Sequence, residues 1–352
     1  MKNLAVALLL CWSFSSHALN AVDVCLLDAL ETASPTTTVA ELRDECNLLQ
    51  ETVVDTDQTP PDQFDQNNTQ TPPTANNKHE NQQVGAATRR LVLEDAAYQN
   101  RFALEPHRPN YLLPLVFLNK RNQSPFVADY GDRLDSFEAQ FQLSLKATLA
   151  KGVLFDYGRL YLGYTNQSFW QAYNTNVSRP FRETNHEPEL WISFKSPLNA
   201  FGFNNVANNI GINHQSNGRA GEFSRSWNRV IASSIWEKDN FALSVRAWYR
   251  LPESEESFPG DPEGDDNPDI DDFLGYGDYR LAYTEGHNTW SLKLRNFVTG
   301  NSRGALEFSW SFPFGKRVGG YVKYFNGYGE SLIDYNAKTE SLGLGIELTD
   351  WL

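Results

Sequence analysis

Two side chains separated by one residue suggest hydrolytic chemistry. The run Ile210-Gly-Ile-Asn-His214-Gln-Ser216-Asn-Gly218-Arg219 sets an imidazole two positions before a hydroxyl. In an extended chain residues i and i+2 project from one face, so His214 can take the proton of Ser216 and make it a nucleophile toward an ester carbonyl. Such a base works only if its other ring nitrogen is held by an acceptor. Asn228, in Ser224-Arg-Ser-Trp-Asn228-Arg229 on the next predicted strand, offers an amide oxygen. Being neutral, it orients the ring but stabilises imidazolium less than an Asp would. The attacked ester develops an oxyanion, and the Gly218 N–H lies just past the nucleophile on a residue free to aim it. One amide is a thin oxyanion hole. A divalent cation would strengthen it, and calcium suits a site that offers carbonyl and hydroxyl oxygens. Spacing alone does not establish this reading, because a His-x-Ser on a strand is more often structural and an Asn at a strand end is usually a turn former.

The elements that must position these groups read as strands from about Pro109 onward. Phe137, Ala139, Phe141, Leu143, Leu145, Ala147 and Leu149 alternate without a break with Glu138, Gln140, Gln142, Ser144, Lys146 and Thr148. The same two-residue period recurs in Leu190-Ile192-Phe194, Phe241-Leu243-Val245-Ala247, Trp290-Leu292-Leu294, Leu306-Phe308-Trp310-Phe312 and Leu342-Leu344-Ile346-Leu348. About twelve such segments, most near the ten-residue length that crosses a bilayer at a tilt, predict a twelve-stranded antiparallel transmembrane β-barrel. Trp170, Trp191, Trp236, Trp248 and Tyr321 sit at strand ends, as aromatic girdles at the membrane interfaces would. A soluble β-sandwich shares the alternation; strand length and aromatic placement favour the barrel. Mean hydropathy of −0.50 does not decide between them, since averaging over the alternation hides a lipid-facing side.

In a barrel the apolar parity faces lipid. His214 and Ser216 share the parity of Ile210 and Ile212, so the pair is expected on the outer wall, facing acyl chains. Arg219, Arg225 and Arg229 have a simpler reading, pairing with lipid phosphates at the bacterial surface. The acidic insert Glu253 to Asp272 is expected as an extracellular loop; its part from Asp261 to Asp272 could hold a further calcium, though solvation alone explains it. A formal net charge of −14 excludes a nucleic-acid partner, which would require clustered Lys and Arg.

The N-terminal part, up to residue 85, is organised differently. Residues 1–18 read as an export signal, with Lys2, an apolar stretch and Ser16-His17-Ala18 before the cleavage point. A lipoprotein signal at Cys11 fits poorly beside Leu10 and Trp12. Residues 19–50 form a small segment in which Cys25 and Cys46 are expected to close a local disulfide in an oxidising compartment. Residues 51–85, rich in Gln, Asn, Asp, Thr and Pro, read as a disordered linker, and residues 86–352 as the barrel.

From about Pro106 to Leu352 the chain resembles the outer-membrane phospholipase A family. The resemblance is carried, in order, by Ser178-Arg-Pro-Phe-Arg182-Glu-Thr-Asn185-His-Glu-Pro188, His214-Gln-Ser216-Asn-Gly-Arg219, Ser224-Arg-Ser-Trp-Asn228-Arg, Asp266-Asn-Pro-Asp-Ile270 and Tyr328-Gly-Glu-Ser-Leu-Ile-Asp-Tyr335. It implies phospholipase A1 and A2 and lysophospholipase activity at the outer membrane, switched on by calcium-dependent homodimerisation. It further implies that His214 is base, Ser216 nucleophile, Asn228 the His-orienting residue and Gly218 the oxyanion amide. Calcium would be held by the Arg219 carbonyl and the Ser224 hydroxyl, with an oxygen of Ser178 supplied by the second subunit. Asn166 falls where the family carries a polar side chain in the dimer interface. Gln215 and the stretch from Ala220 to Phe223 depart from the family pattern, and nothing before about residue 85 has a counterpart in it. Two alternatives stay open at this point: a passive porin that keeps these residues without activity, and a soluble exported esterase on a β-sandwich.

Overall fold

The computed structural model describes residues 85–98, 103–126, 133–154, 157–255, 257–258, 261, 264–296, 303–315 and 318–350. The expected signal, the cysteine-containing segment with Cys25 and Cys46, and the linker up to residue 84 lie outside the described residues.

Twelve strands carry the alternation: β1 (Asn110–Lys120), β2 (Phe137–Val153), β3 (Gly158–Trp170), β4 (Phe181–Phe194), β5 (Phe203–Ser216), β6 (Ser226–Lys238), β7 (Phe241–Arg250), β8 (Gly277–Glu285), β9 (Asn288–Arg295), β10 (Ala305–Phe314), β11 (Val318–Tyr328) and β12 (Lys338–Thr349). Each pairs antiparallel with the next, and β12 pairs back onto β1, Leu344 opposite Leu115. The sheet therefore closes into a barrel with no free edge, which removes the β-sandwich alternative. Two-residue connections at 239–240 and 286–287 are possible because Asp239 (φ +52°) and Gly286 (φ +60°) adopt the left-handed conformation that tight hairpins require. All the short connections lie at one end; the long ones, among them 171–180, 217–225 and 251–276, lie at the other. In outer-membrane barrels the long loops are extracellular and the short turns periplasmic.

The period of two sorts residues between lipid and lumen. On β2 the odd positions Leu143 and Leu149 are exposed, whereas Glu138, Gln140, Ser144 and Lys146 are buried. Charges forced inside are held in pairs: Arg182 bridges Glu138 (3.0 Å) and Asp334 (2.6 Å), Arg108 bridges Glu187 and Glu189, Arg246 meets Asp278, and Lys323 meets Glu330. Burying an unpaired charge would be prohibitive, so every interior acid needs such a partner to remain ionised. The lumen that remains is a cavity of about 310 Å³.

Both mouths are obstructed. At the long-loop end the 329–337 connection folds inward: Leu332 N–H donates to Asn185 Oδ1 (3.0 Å) and Ile333 N–H to Glu183 Oε1 (3.1 Å), and both apolar side chains are buried. At the other end a helix, α1 (Ala86–Ala97), lies against the wall, with Arg90 donating to the His107 carbonyl (3.0 Å) and Glu94 accepting from Lys146 (2.5 Å). These residues open the segment expected from residue 86 onward and precede its first strand. One correction concerns the aromatic girdle. Trp191, Trp248 and Tyr321 line the lumen, Trp191 stacking on His107 and Tyr161, because their parity is that of the interior. A strand-end aromatic can serve either face, and only its register decides which.

Candidate active site on the outer wall

The site lies where β3 to β6 meet the long-loop end. On β5 the exterior parity is occupied by Ile210 (48% exposed), Ile212 (57%), His214 and Ser216, and the interior parity by Asn213 and Gln215. Alternation alone thus puts His214 and Ser216 outside. Asn213 accepts from Arg229 (2.5 Å), and Gln215 accepts from Trp227 Nε1 (2.9 Å), so the strand is gripped from within at the residues flanking His214.

His214 and Asn228 are cross-strand partners, and His214 Nδ1 lies 2.8 Å from Asn228 Oδ1. Which end of the amide faces the ring is fixed from behind: Asn228 Nδ2 donates to Glu253 Oε1 at 2.8 Å. The oxygen therefore faces His214, which must donate from Nδ1 and keep its lone pair on Nε2. Glu253 also places a negative charge behind an otherwise neutral orienting group. Its position in the acidic insert gave no signal of this in the sequence.

Ser216 Oγ accepts the Gly218 N–H at 3.0 Å and is not hydrogen-bonded to the imidazole. Gly218 has φ +63°, a conformation that aims its amide back at residue 216 and that favours glycine. The loop behind it is stapled by Asn217, a buried residue to which the sequence analysis gave no role. Its Oδ1 accepts from the N–H groups of Arg219 (3.2 Å) and Arg225 (3.0 Å), and its Nδ2 donates to the Phe223 carbonyl (2.8 Å).

The three arginines do not wait for lipid phosphates. Arg219 donates to the Arg182 carbonyl (2.6 Å), Arg225 to the Glu222 carbonyl (3.0 Å), and Arg229 is buried in the lumen against Glu187 (3.0 Å). Ser224, on the same loop, donates from Oγ to Asp266 Oδ2 at 2.8 Å. Ser178 lies apart from it on the exposed 171–180 loop, where it and Arg179 both have positive φ (+60° and +55°). That loop is held by buried Asn174, whose carbonyl accepts from Arg179 N–H (2.9 Å). The structure thus brings His214, Ser216, Gly218 and Asn228 together, places Arg219 and Ser224 on the adjoining loop, and leaves Ser178 exposed on its own. Most acids of the 261–272 stretch have partners: Asp265 with Arg250, Asp266 with Ser224, Asp269 with Tyr335 and Asp272 with Arg303. Among the described residues no group of three or more His, Cys, Asp or Glu side chains could hold a metal.

Asn166 lies on the exterior of β3 opposite His186 of β4, and His186 in turn lies opposite Ser216 of β5. His186 Nδ1 is 2.7 Å from Tyr164 OH and 3.3 Å from Asn166 Nδ2. A band of polar side chains therefore runs along the exterior from Asn166 to Ser216.

Comparison with known proteins gives a consistent result. The family model described as phospholipase A1 matches residues 87–348. A phospholipase A1 from Klebsiella pneumoniae is 36% identical over 260 residues, covering 74% of this chain and 86% of the relative. The crystal structure of a Salmonella typhi outer-membrane phospholipase dimer with bound calcium superposes with a TM-score of 0.66 at 35% identity, covering 72% of this chain and 95% of that one. An Escherichia coli outer-membrane phospholipase A with an active-site asparagine replaced by alanine gives a TM-score of 0.67 at 34% identity, covering 75% and 99%.

Proposed function

This chain belongs to the phospholipase A1 family of outer-membrane β-barrel enzymes, and on that premise we propose that it hydrolyses acyl esters of phospholipids and lysophospholipids with Ser216, His214 and Asn228 on the barrel's outer wall. The single observation that carries this reading is the His214 Nδ1 to Asn228 Oδ1 contact of 2.8 Å on the hydrocarbon-facing side.

The chain's own groups supply the following steps. Asn228, its amide oriented by Glu253, holds the Nδ1–H of His214 and leaves Nε2 free to accept the Ser216 proton. Ser216 Oγ attacks the ester carbonyl, and the proton on His214 then passes to the departing glycerol oxygen. The Gly218 N–H, which rests on Ser216 Oγ in this structure, turns to the developing oxyanion. Water entering from the long-loop end releases the acyl group by the same proton route in reverse. The missing hydrogen bond between Ser216 and His214 fits a free enzyme, in which catalytic contacts are often loose until substrate arrives.

Calcium fits the donor set. Arg219 offers a carbonyl, Ser224 a hydroxyl that already meets the Asp266 carboxylate, and exposed Ser178 an oxygen able to reach across to a second copy. These are all oxygens, the ligand type calcium takes, and one chain alone supplies too few of them. When bound there, calcium would stabilise negative charge on the reacting ester. The complete site would therefore form in a homodimer, in keeping with the calcium-bound dimer of the Salmonella typhi relative.

The test is phospholipid hydrolysis by purified protein in detergent. Wild type with calcium should turn over; Ser216→Ala should lose activity by about 10⁴-fold or more, and chelator should reduce the wild-type rate steeply. Unchanged turnover in Ser216→Ala would remove the nucleophile.

A further inference from the structure

The wall carries a second imidazole whose role differs from that of His214. His186 sits directly across from Ser216 in the β4–β5 ladder, on the same exterior face. Its tautomer follows from its neighbours. Asn166 turns its Nδ2 toward His186, while its Oδ1 accepts from Ser168 Oγ (3.1 Å). Asn166 Nδ2 (3.3 Å) and Tyr164 OH (2.7 Å) then both converge on Nδ1. An amide nitrogen can only donate, so Nδ1 must be the lone-pair nitrogen and Nε2 must carry the hydrogen. His214 is held in the opposite tautomer by Asn228 Oδ1. His214 is therefore set up as an acceptor and His186 as a donor, on adjacent strands beside one serine.

The donor end of His186 reaches the oxyanion side of that serine. A Cβ built on Gly218 would lie 3.7 Å from His186 Cδ2 and 3.9 Å from Nε2. The ring edge bearing the Nε2–H therefore adjoins the residue whose amide already bonds Ser216 Oγ. No described side chain or carbonyl accepts that hydrogen, and it stands on a face where hydrocarbon cannot.

We propose that His186 Nε2–H is a second hydrogen-bond donor to the ester carbonyl attacked by Ser216, joining the Gly218 amide in a pair of oxyanion donors from one chain, to which calcium in the homodimer would add. The carbonyl oxygen gains negative charge as the Ser216 Oγ–carbon bond forms, and the neutral imidazole donates to it without losing its proton. Tyr164 and Asn166 are positioning residues for this donor, and Ser168 positions Asn166. The inference rests on the assignment of Ser216 as nucleophile.

The test compares His186→Phe and His186→Gln with wild type and Ser216→Ala, measuring kcat and KM on detergent-dispersed phospholipid with calcium, together with thermal unfolding. Loss of one oxyanion donor in other hydrolases costs about 10²- to 10³-fold in kcat. His186→Phe is expected to lower kcat about 10²-fold with KM and unfolding temperature little changed, and His186→Gln, which keeps an N–H donor, to recover about tenfold of that. The proposal is overturned if His186→Phe keeps kcat within about twofold of wild type, if it raises KM alone, or if it loses stability with activity and His186→Gln recovers nothing. An inactive Ser216→Ala beside a fully active His186→Phe would discard only this inference. An active Ser216→Ala would discard the assignment of the nucleophile as well, and with it the donor's purpose.

Discussion

The two faces of β5 are built from alternate residues of one short stretch, yet they do opposite work. Inside, Asn213 and Gln215 join a dense network in which Glu187 pairs with both Arg229 and Arg108, and Arg229 Nη2 reaches Glu187, Asn213 and Gln215. Outside, His214 and Ser216 each make one hydrogen bond and stand partly exposed among apolar neighbours. The inner face is densely bonded and fixes the strand; the outer face is left under-bonded, as the proposed hydrolysis requires of a lone pair and a hydroxyl that must meet a substrate. Rigidity and reactivity are separated by the pleat of a single strand.

That contrast can be broken most forcefully at Arg229. Arg229→Met removes one buried partner each from Asn213, Gln215 and Glu187 and is expected to lower stability by about 2 kcal/mol, the loss being limited because Arg108 still pairs with Glu187. Denaturant unfolding in detergent would show the loss, while kcat per folded molecule should change far less. A collapse of kcat at unchanged stability would mean that the inner network acts in the chemistry itself. Next in size is Asn228→Ala. Freed from its orienting oxygen, His214 should lose on the order of tenfold to a hundredfold in kcat, less than the roughly 10⁴-fold cost of disabling an ionised aspartate in the same role. Thermal stability should barely move, because the contact is at the surface.

Glu253 sharpens the comparison, because from the 251–276 connection it meets the outer-wall Asn228 and would orient rather than react. Glu253→Gln keeps an acceptor for Asn228 Nδ2 but no charge and is expected to cost about twofold in kcat; Glu253→Ala removes both, for about fivefold. Equal effects from the two would assign the whole contribution to charge.

The smallest effect concerns α1 and pH. Burial raises the Glu94 carboxyl, but the cations of Lys146 and Arg90 outweigh it and hold the group below its ordinary value of 4.5. A folded-state value that is depressed contributes stability that is complete above the unfolded value and lost as pH falls through the folded one. Docking of α1 should therefore be indifferent to pH above about 4.5 and weaken below it, read by proteolysis of the 85–98 region across a pH series; Glu94→Gln should flatten that dependence.

Much of this architecture was legible in the alternation. Phe137 to Leu149 declares a strand with one apolar side, and enough such strands with a lipid-facing parity predict a barrel. The placement of His214 and Ser216 on its exterior follows from their sharing the parity of Ile210 and Ile212. Aromatic residues were less informative: Trp191, Trp248 and Tyr321 suggested a girdle but belong to the lumen, since residue type does not encode which way a strand-end ring turns. The helix α1 was missed because Ala86–Ala97 has no clear apolar stripe, its docking resting on polar contacts to distant residues.

By itself the sequence determined the period, the outward parity and the trio of His214, Ser216 and Asn228, because these depend on neighbours two residues away or on the next hairpin strand. The tertiary structure alone decided which amide end meets His214, which nitrogen of His186 bears hydrogen, and how the 329–337 loop closes the mouth. Those outcomes hang on partners brought in from afar, such as Glu253 behind Asn228 and Glu183 beneath Ile333, 150 positions apart. A donor or acceptor takes its role from whatever the closed barrel sets opposite it, and no local pattern records that.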